Sequence, residues 1–117
     1  MKTQTFIAVT SLAEKVIRWQ EVFAGHLRGQ GLSERTVQAY GQDVRSFATW
    51  FEAENGQKFS PELLTGVDLR GYRNWAVDER RMAPRTWNRR RIALGIFCHW
   101  AMETGSLNYD PFQGVEE

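Results

Sequence analysis

At 117 residues, with 42% hydrophobic, 25% charged and 13% aromatic residues, the chain has the composition of one folded domain, which excludes an intrinsically disordered protein. Its single cysteine, Cys98, excludes an internal disulfide, and with His26 and His99 it lacks the close spacing of a zinc site. The net charge of +1 conceals a basic segment, residues 70–91, where eight arginines accompany only two acidic residues. No apolar run approaches the length of a membrane span. We therefore expect a soluble, cytoplasmic domain without metal or cofactor.

The first predicted helix begins at Ser11, after an N-terminal extension of residues 1–10. Ser11 and Glu14 have the spacing of a capping box, in which each side chain accepts a hydrogen bond from the other's backbone N–H. An apolar stripe at helical spacing follows and consists of Leu12, Val16, Trp19, Phe23 and Leu27. Gly29 and Gly31 are expected to end this helix.

The second predicted helix begins after a capping serine, Ser33, and ends at Asn55-Gly56. Its apolar face comprises Val37, Tyr40, Val44, Phe47 and Phe51, and the polar residues Gln38, Gln42, Asp43 and Arg45 are assigned largely to other faces. Residues 57–64 contain a proline and no helical period, so they are interpreted as a connecting loop. Phe59, Leu63 and Leu64 of this loop are expected to cover the core.

The third and fourth predicted helices flank the dipeptide Ala83-Pro84. Thr65 and Asp68 form a second capping box, and the helix that they open has Leu69, Tyr72 and Trp75 or Ala76 facing inward until the pattern ends near Arg81. Proline suits the first turn of a helix, so the fourth helix begins at Pro84. Its apolar face is Trp87, Leu94, Phe97, Cys98 and Ala101, and Gly105 ends it.

Four amphipathic helices with short connections predict an all-α fold, a compact four-helix bundle. The bundle is expected to occupy residues 11–112, closed by Asp110-Pro111. Residues 113–117 are interpreted as the start of a linker. No strand pattern, internal repeat or low-complexity segment competes with this interpretation.

Three ordered motifs cover nearly the whole chain. Residues 32–40 (LSERTVQAY), followed by Asp43, Val44 and Phe47, resemble the pattern LS..T...Y..DL..F of the core-binding domain of phage-type integrases and other tyrosine recombinases, a SAM-like helical domain. Residues 86–101 resemble the same family's T.NRR..AL..F..WA, and residues 105–111 its closing G....NP. The chain departs from the family at Arg91, where an aliphatic residue is usual, and at Asp110, where asparagine is usual.

The resemblance implies a function in DNA integration and recombination. In that family the domain is half of a clamp around duplex DNA, with its second and fourth helices against the grooves, and a larger C-terminal domain carries the catalytic arginines, histidines and nucleophilic tyrosine. The implied partners are double-stranded DNA, that catalytic domain and other recombinase protomers. The 117 residues alone are therefore expected not to be an enzyme. Tyr40 and Tyr72 fall on core-facing positions and Tyr109 in a loop, so none is a candidate nucleophile.

The predicted DNA contacts of the fourth helix are Arg85, Thr86, Asn88, Arg89 and Arg90. Guanidinium groups near a helix N-terminus can bind phosphates or pair with guanine, and the hydroxyl and amide groups supply neutral contacts. The alternative for the arginines is an ordinary solvated face. Thr86 could equally stabilise the first helical turn.

The predicted DNA contacts of the second helix are Ser33, Arg35 and Thr36. Ser33 is first a helix cap, with phosphate contact as an additional role, whereas Arg35 and Thr36 are set apart from ordinary surface residues only by the family resemblance. The five tryptophans could form a stacking surface for single strands, but their helical spacing favours core positions.

Two other functions remain as alternatives. A helical protein-interaction module would present an exposed apolar patch and no salt-dependent affinity for DNA. A helix-turn-helix regulator would need a compact glycine turn between helices three and four, which the sequence lacks, and a shorter second helix.

Overall fold

The computed structural model describes residues 19–113, and all the regular structure in that range is helical. Its elements are α1 (residues 19–29), α2 (Glu34–Asn55), a 3-10 turn (Pro61–Leu63), α3 (Gly66–Arg73), which continues as a π-helix (Asn74–Glu79), and α4 (Pro84–Glu103). The predicted all-α, four-helix class is confirmed. The predicted start of the first helix at Ser11, the extension 1–10 and residues 114–117 of the predicted linker lie outside the described residues.

The ends of α2 and α3 follow from local hydrogen bonding, as the sequence predicts. The backbone N–H of Thr36 donates to Oγ of Ser33 at 3.2 Å, and Gly56 ends α2 with a φ of 65°, a left-handed conformation that glycine adopts without steric cost. At α3 both halves of the capping box form. The N–H of Asp68 donates to Thr65, and the N–H of Thr65 donates to a carboxylate oxygen of Asp68.

The core is built from aromatic rings that meet edge to face. Phe47 of α2 lies 5.2 Å from Tyr72 of α3 and 5.5 Å from Phe59 of the connecting loop, measured between ring centroids. Phe97 of α4 lies 5.2 Å from Phe23 of α1. Such perpendicular pairs are worth about 0.5–1.5 kcal/mol each beyond the area that they bury. The rings therefore join all four helices in one core.

Tryptophans belong to this core, as predicted. Trp19, Trp87 and Trp100 are buried, while Trp50 and Trp75 are half-buried and pack against it. Their placement gives no exposed row of rings on which bases could stack.

Two sequence predictions about burial are wrong. Asp43, assigned to the polar side of the second helix, is completely buried, because Arg89 of α4 supplies its counter-charge and two hydrogen bonds. Leu63, expected to cover the core, is 37% exposed, because the 3-10 turn directs Pro61 and Leu64 inward instead. At the end of the third helix, Ala76 is buried and Trp75 is half-buried.

The third helix widens before it ends. From Asn74 to Glu79 the helix is a π-helix, and the backbone N–H of Arg80 donates to the carbonyl of Trp75, five residues earlier, at 2.8 Å. The next residue, Arg81, has a φ of 51°, a region that non-glycine residues seldom adopt. This sharp change of direction leads the chain into the first turn of α4.

We expect Gly95→Ala to stabilise the fold by up to about 1 kcal/mol, because Gly95 lies inside α4 and an added Cβ meets no atom within 4 Å. Gly71→Ala is the control, since its Cβ would lie 3.1 Å from Cη2 of the Trp50 ring. The stability gained from the higher helix propensity of alanine should there be cancelled by overpacking against that ring. Urea unfolding of both variants measures the difference. An equal effect of the two substitutions would contradict this account.

Burial raises the pKa of the Cys98 thiol, with a smaller contribution from the negative charge of Asp110. The unfolded chain releases this proton near pH 8.5, whereas the folded chain retains it, so the free energy of unfolding should fall as pH rises above about 8.5, by at most about 1.4 kcal/mol per pH unit. Cys98→Ala should show a smaller loss between pH 8.5 and 10 in urea unfolding. A slope identical to that of the parent protein would show that the thiol is not responsible.

Candidate nucleic-acid interface

The predicted contact residues lie at the starts of two helices, α2 and α4, which pack against each other. Leu32, two residues before α2, lines the same groove as Arg91 and Ile92 of α4. The segment that leads into α2 therefore lies beside the middle of α4, whereas Arg89, nearer the start of α4, pairs with Asp43 in the third turn of α2.

At the start of α2, Ser33 and Thr36 are hydrogen-bonded to each other. Oγ of Ser33 accepts the N–H of Thr36 and donates its own proton to Oγ1 of Thr36 at 3.0 Å. The capping role predicted for Ser33 is confirmed. Arg35 is exposed and makes no side-chain hydrogen bond or ion pair within residues 19–113. Its contact with DNA stays a prediction.

At the start of α4, the first residues combine an exposed cation with exposed amide groups. Arg85 is exposed and has no side-chain partner among the described residues, and Thr86 is half-buried beside it. The amide oxygen of Asn88 accepts a hydrogen bond from Nη2 of Arg91 at 2.9 Å, which leaves the amide N–H₂ of Asn88 available to another group. Arg91 itself is half-buried and lines the groove beside Leu32.

Arg89 forms a bidentate ion pair with Asp43 of α2. Its Nε and Nη2 donate to Oδ2 and Oδ1 of the carboxylate at 3.0 and 2.8 Å. The side chain of Asp43 is 1% exposed and that of Arg89 is 53% exposed. The hydrogen bond and the charge of Asp43 raise the pKa of Arg89. Asp43 is buried because Arg89 supplies the counter-charge and both hydrogen bonds that a buried carboxylate needs.

Arg90 points to a different helix. Its Nη1 donates to the phenol oxygen of Tyr72 in α3 at 2.9 Å, and the side chain is half-buried, with Nε out of contact with solvent. Burial raises the pKa of Tyr72, and the nearby charge of Arg90 partly offsets that rise. Arg90 thus supports the junction of α3 and α4 and has less of its guanidinium at the surface than Arg89.

Sequence reasoning missed Asp43 as part of this site. The signal was present, because Asp43 lies three residues after Tyr40 and four before Phe47, which places it on the apolar stripe and not opposite to it. A carboxylate that is buried on an apolar stripe requires a partner that supplies counter-charge and hydrogen bonds. Three consecutive arginines at residues 89–91 offered that partner.

A second bidentate pair, Arg28 with Glu34, joins the end of α1 to the start of α2. Nε and Nη2 of Arg28 donate to the carboxylate at 2.9 and 2.7 Å, and both side chains are about half exposed, at 54% and 55%. The hydrogen bond from Arg28 lowers the pKa of Glu34. This pair resembles the pair of Asp43 with Arg89 in geometry but not in burial.

The described residues offer no other recognisable chemical centre. Within residues 19–113, no group of three or more histidine, cysteine or acidic side chains could hold a metal ion. Over the same range, no helix is both long enough and apolar enough to cross a membrane. Tyr72 is buried, Tyr40 packs against the core, and Tyr109 lies in the loop after α4 with its hydroxyl 3.3 Å from the carbonyl of Leu64.

Comparison with known proteins gives a consistent result. Residues 21–105 match the family described as "Phage integrase, N-terminal SAM-like domain". The chain is 31% identical over 87 residues to "Tyrosine recombinase XerD" of Listeria monocytogenes serotype 4b, and 29% identical over the same length to the protein of that name from Listeria innocua. These alignments cover 74% of this chain and 29% of each relative. No solved structure matches the chain.

The chain spans less than a third of the length of these relatives. The matched region contains the starts of α2 and α4, the ion pair of Asp43 with Arg89, and all but the first two described residues of α1. The resemblance found in the sequence motifs is thereby confirmed, and the chain belongs to the family of phage-integrase N-terminal SAM-like domains.

Proposed function

We propose that this domain binds double-stranded DNA beside the crossover site of a tyrosine recombinase during DNA integration or recombination. The family match carries the proposal, since residues 21–105 include both helix starts. The domain is proposed to extend over residues 11–112 and to act in the cytoplasm. Its partners would be duplex DNA, the catalytic domain of the parent recombinase and other protomers on the same DNA.

The geometry at the two helix starts supports this proposal. Arg35 and Arg85 are exposed cations without partners in residues 19–113, and half of the Arg89 side chain is exposed. Cations beside the positive end of a helix dipole attract phosphate groups. Contacts to phosphate supply most of the affinity of proteins that bind duplex DNA weakly. The proposed contact residues are Ser33, Arg35, Thr36, Arg85, Thr86, Asn88, Arg89 and Arg90.

The domain is proposed to position DNA and not to cleave it. Cleavage by a tyrosine nucleophile needs several cationic groups around one phosphate, and the tyrosines of this chain are buried, packed against the core, or held in a loop. We therefore expect neither strand cleavage nor a covalent protein–DNA adduct when the chain is incubated with a nicked recombination-site duplex. Denaturing electrophoresis with labelled DNA detects such an adduct. A phosphotyrosyl bond at Tyr40, Tyr72 or Tyr109 would contradict the proposal.

Titration of a duplex of about 30 base pairs at several salt concentrations tests the DNA-binding function. Half of a clamp neutralises few phosphates, so the binding should be weak, with little sequence preference. The plot of log affinity against log salt should fall by about 0.9 for each phosphate neutralised. Affinity that does not change with salt would instead favour a protein-interaction module.

A further inference from the structure

Asp43 and Arg89 form an ion pair with one partner in the core and the other at the surface. The carboxylate is 1% exposed and is held by the packing of α2 against the rest of the bundle. The guanidinium is 53% exposed and is held by two hydrogen bonds to that carboxylate. The orientation of the surface cation is therefore set by a residue in the core.

The two hydrogen bonds use one edge of the guanidinium and leave another free. A guanidinium has five N–H donors in one plane, and Asp43 accepts from Nε and Nη2. The remaining edge, formed by Nη1 and the second N–H of Nη2, makes no hydrogen bond within residues 19–113. Two parallel N–H groups on a fixed plane match the spacing of two phosphate oxygens.

The exposed pair of Arg28 with Glu34 shows what is unusual about Asp43. Both pairs are bidentate, but Glu34 is 55% exposed and loses little hydration. Burying Asp43 costs several kcal/mol of desolvation, and an apolar pair of similar volume would stabilise a core as well or better. What an apolar pair would not provide is an oriented cation at the surface.

We propose that Asp43 is a positioning residue, which fixes the Arg89 guanidinium so that its free edge binds the phosphate backbone of duplex DNA. This role rests on the proposed DNA-binding function. It assigns to a buried acid in α2 a part in DNA recognition by α4. It also predicts that removing a negative charge from the protein weakens its binding to a polyanion.

Asp43→Asn tests the proposal through the sign of its effect. General electrostatics predicts tighter DNA binding when an acidic charge is lost. A positioning role predicts weaker binding, because the asparagine N–H₂ cannot accept one of the two hydrogen bonds, and the single bond that remains to Oδ1 does not fix the plane of the guanidinium. We expect about tenfold weaker binding of a 30-base-pair duplex at low salt. Glu34→Gln is the matched control, since it removes the same charge from the exposed pair, and its affinity should equal or exceed that of the parent protein.

A second variant keeps the test valid if Asp43→Asn fails to fold. Asp43→Leu combined with Arg89→Met replaces both charges, leaves the net charge unchanged and removes the need to bury an acid. If the exposed edge of Arg89 took no part in DNA binding, so that the ion pair only stabilised the fold, this variant would bind DNA as the parent does. The positioning role predicts a similar tenfold loss, with a salt slope shallower by about one. Circular dichroism verifies that each variant is folded at the temperature of the binding measurement.

The outcomes separate the two proposals. Suppose that the parent protein shows salt-dependent binding, but folded Asp43→Asn or the folded double variant binds DNA as tightly as the parent or more tightly. That result would overturn the positioning role and leave the DNA-binding function standing. Absence of salt-dependent binding by the parent protein would overturn the DNA-binding function, and the positioning role with it.

Discussion

Arg89→Ala is expected to lower the free energy of unfolding by about 3 kcal/mol, the largest loss from any single surface substitution in α4. The reason is that the Asp43 carboxylate would remain in the core without its counter-charge and without its two hydrogen bonds. This loss is at the low end of the range that is typical when one partner of a buried ion pair is removed, because half of the Arg89 side chain is exposed and water can approach the vacated position. Urea unfolding followed by circular dichroism measures the loss.

Arg85→Ala is the control for this substitution. Arg85 also carries a positive charge at the start of α4, but it has no side-chain partner in residues 19–113. Its removal should change stability by no more than about 0.5 kcal/mol. A loss for Arg89→Ala as small as that for Arg85→Ala would show that the ion pair does not stabilise the fold. The three arginines 85, 89 and 90 are thus not equivalent surface charges.

Arg35→Ala combined with Arg85→Ala is expected to weaken duplex binding by about thirtyfold, which corresponds to about 1 kcal/mol for each contact. These two arginines are chosen because neither holds another described side chain, so that the fold should be unaffected. The salt slope should become shallower by about two, since each lost phosphate contact removes roughly one. Fluorescence anisotropy with a labelled duplex measures both quantities.

Arg45→Ala combined with Lys58→Ala is the matched control, because it removes the same charge from the middle of α2 and from the loop after it. Among the described residues Arg45 bonds only to Gln42, and Nζ of Lys58 lies 3.9 Å from a carboxylate oxygen of Glu52. Affinity should change little. Equal losses in the two double variants would mean that diffuse charge accounts for binding and that the starts of α2 and α4 have no special role.

The helix boundaries could be predicted because they depend on local chemistry. Ser33, Thr65 and Pro84 mark helix starts through capping or a fixed φ, and Gly56 permits the left-handed turn that ends α2. Each of these residues fixes a helix end that lies within four residues of it in the sequence. Tertiary contacts with residues distant in the sequence shift these helix ends little.

The partners of the arginines could not be predicted in the same way. Successive helical residues are rotated by about 100°, so residues 89–91 must point in three directions. Arg89 reaches α2, Arg90 reaches α3 and Arg91 lines a groove beside Leu32. Which direction faces which helix depends on how α2, α3 and α4 pack. For the same reason the π-helix after α3 has no clear sequence signal.

The most direct test of the DNA-facing surface is an NMR titration of the ¹⁵N-labelled chain with a short duplex at low salt. Backbone amides of residues 33–36 and 85–91 should show the largest shift changes, and the Nε–H signal of Arg89 should shift with them. Residues 61–67, which lead into the start of α3, serve as the reference surface and should change little. Shifts concentrated on that reference surface, with the starts of α2 and α4 unaffected, would contradict the assignment.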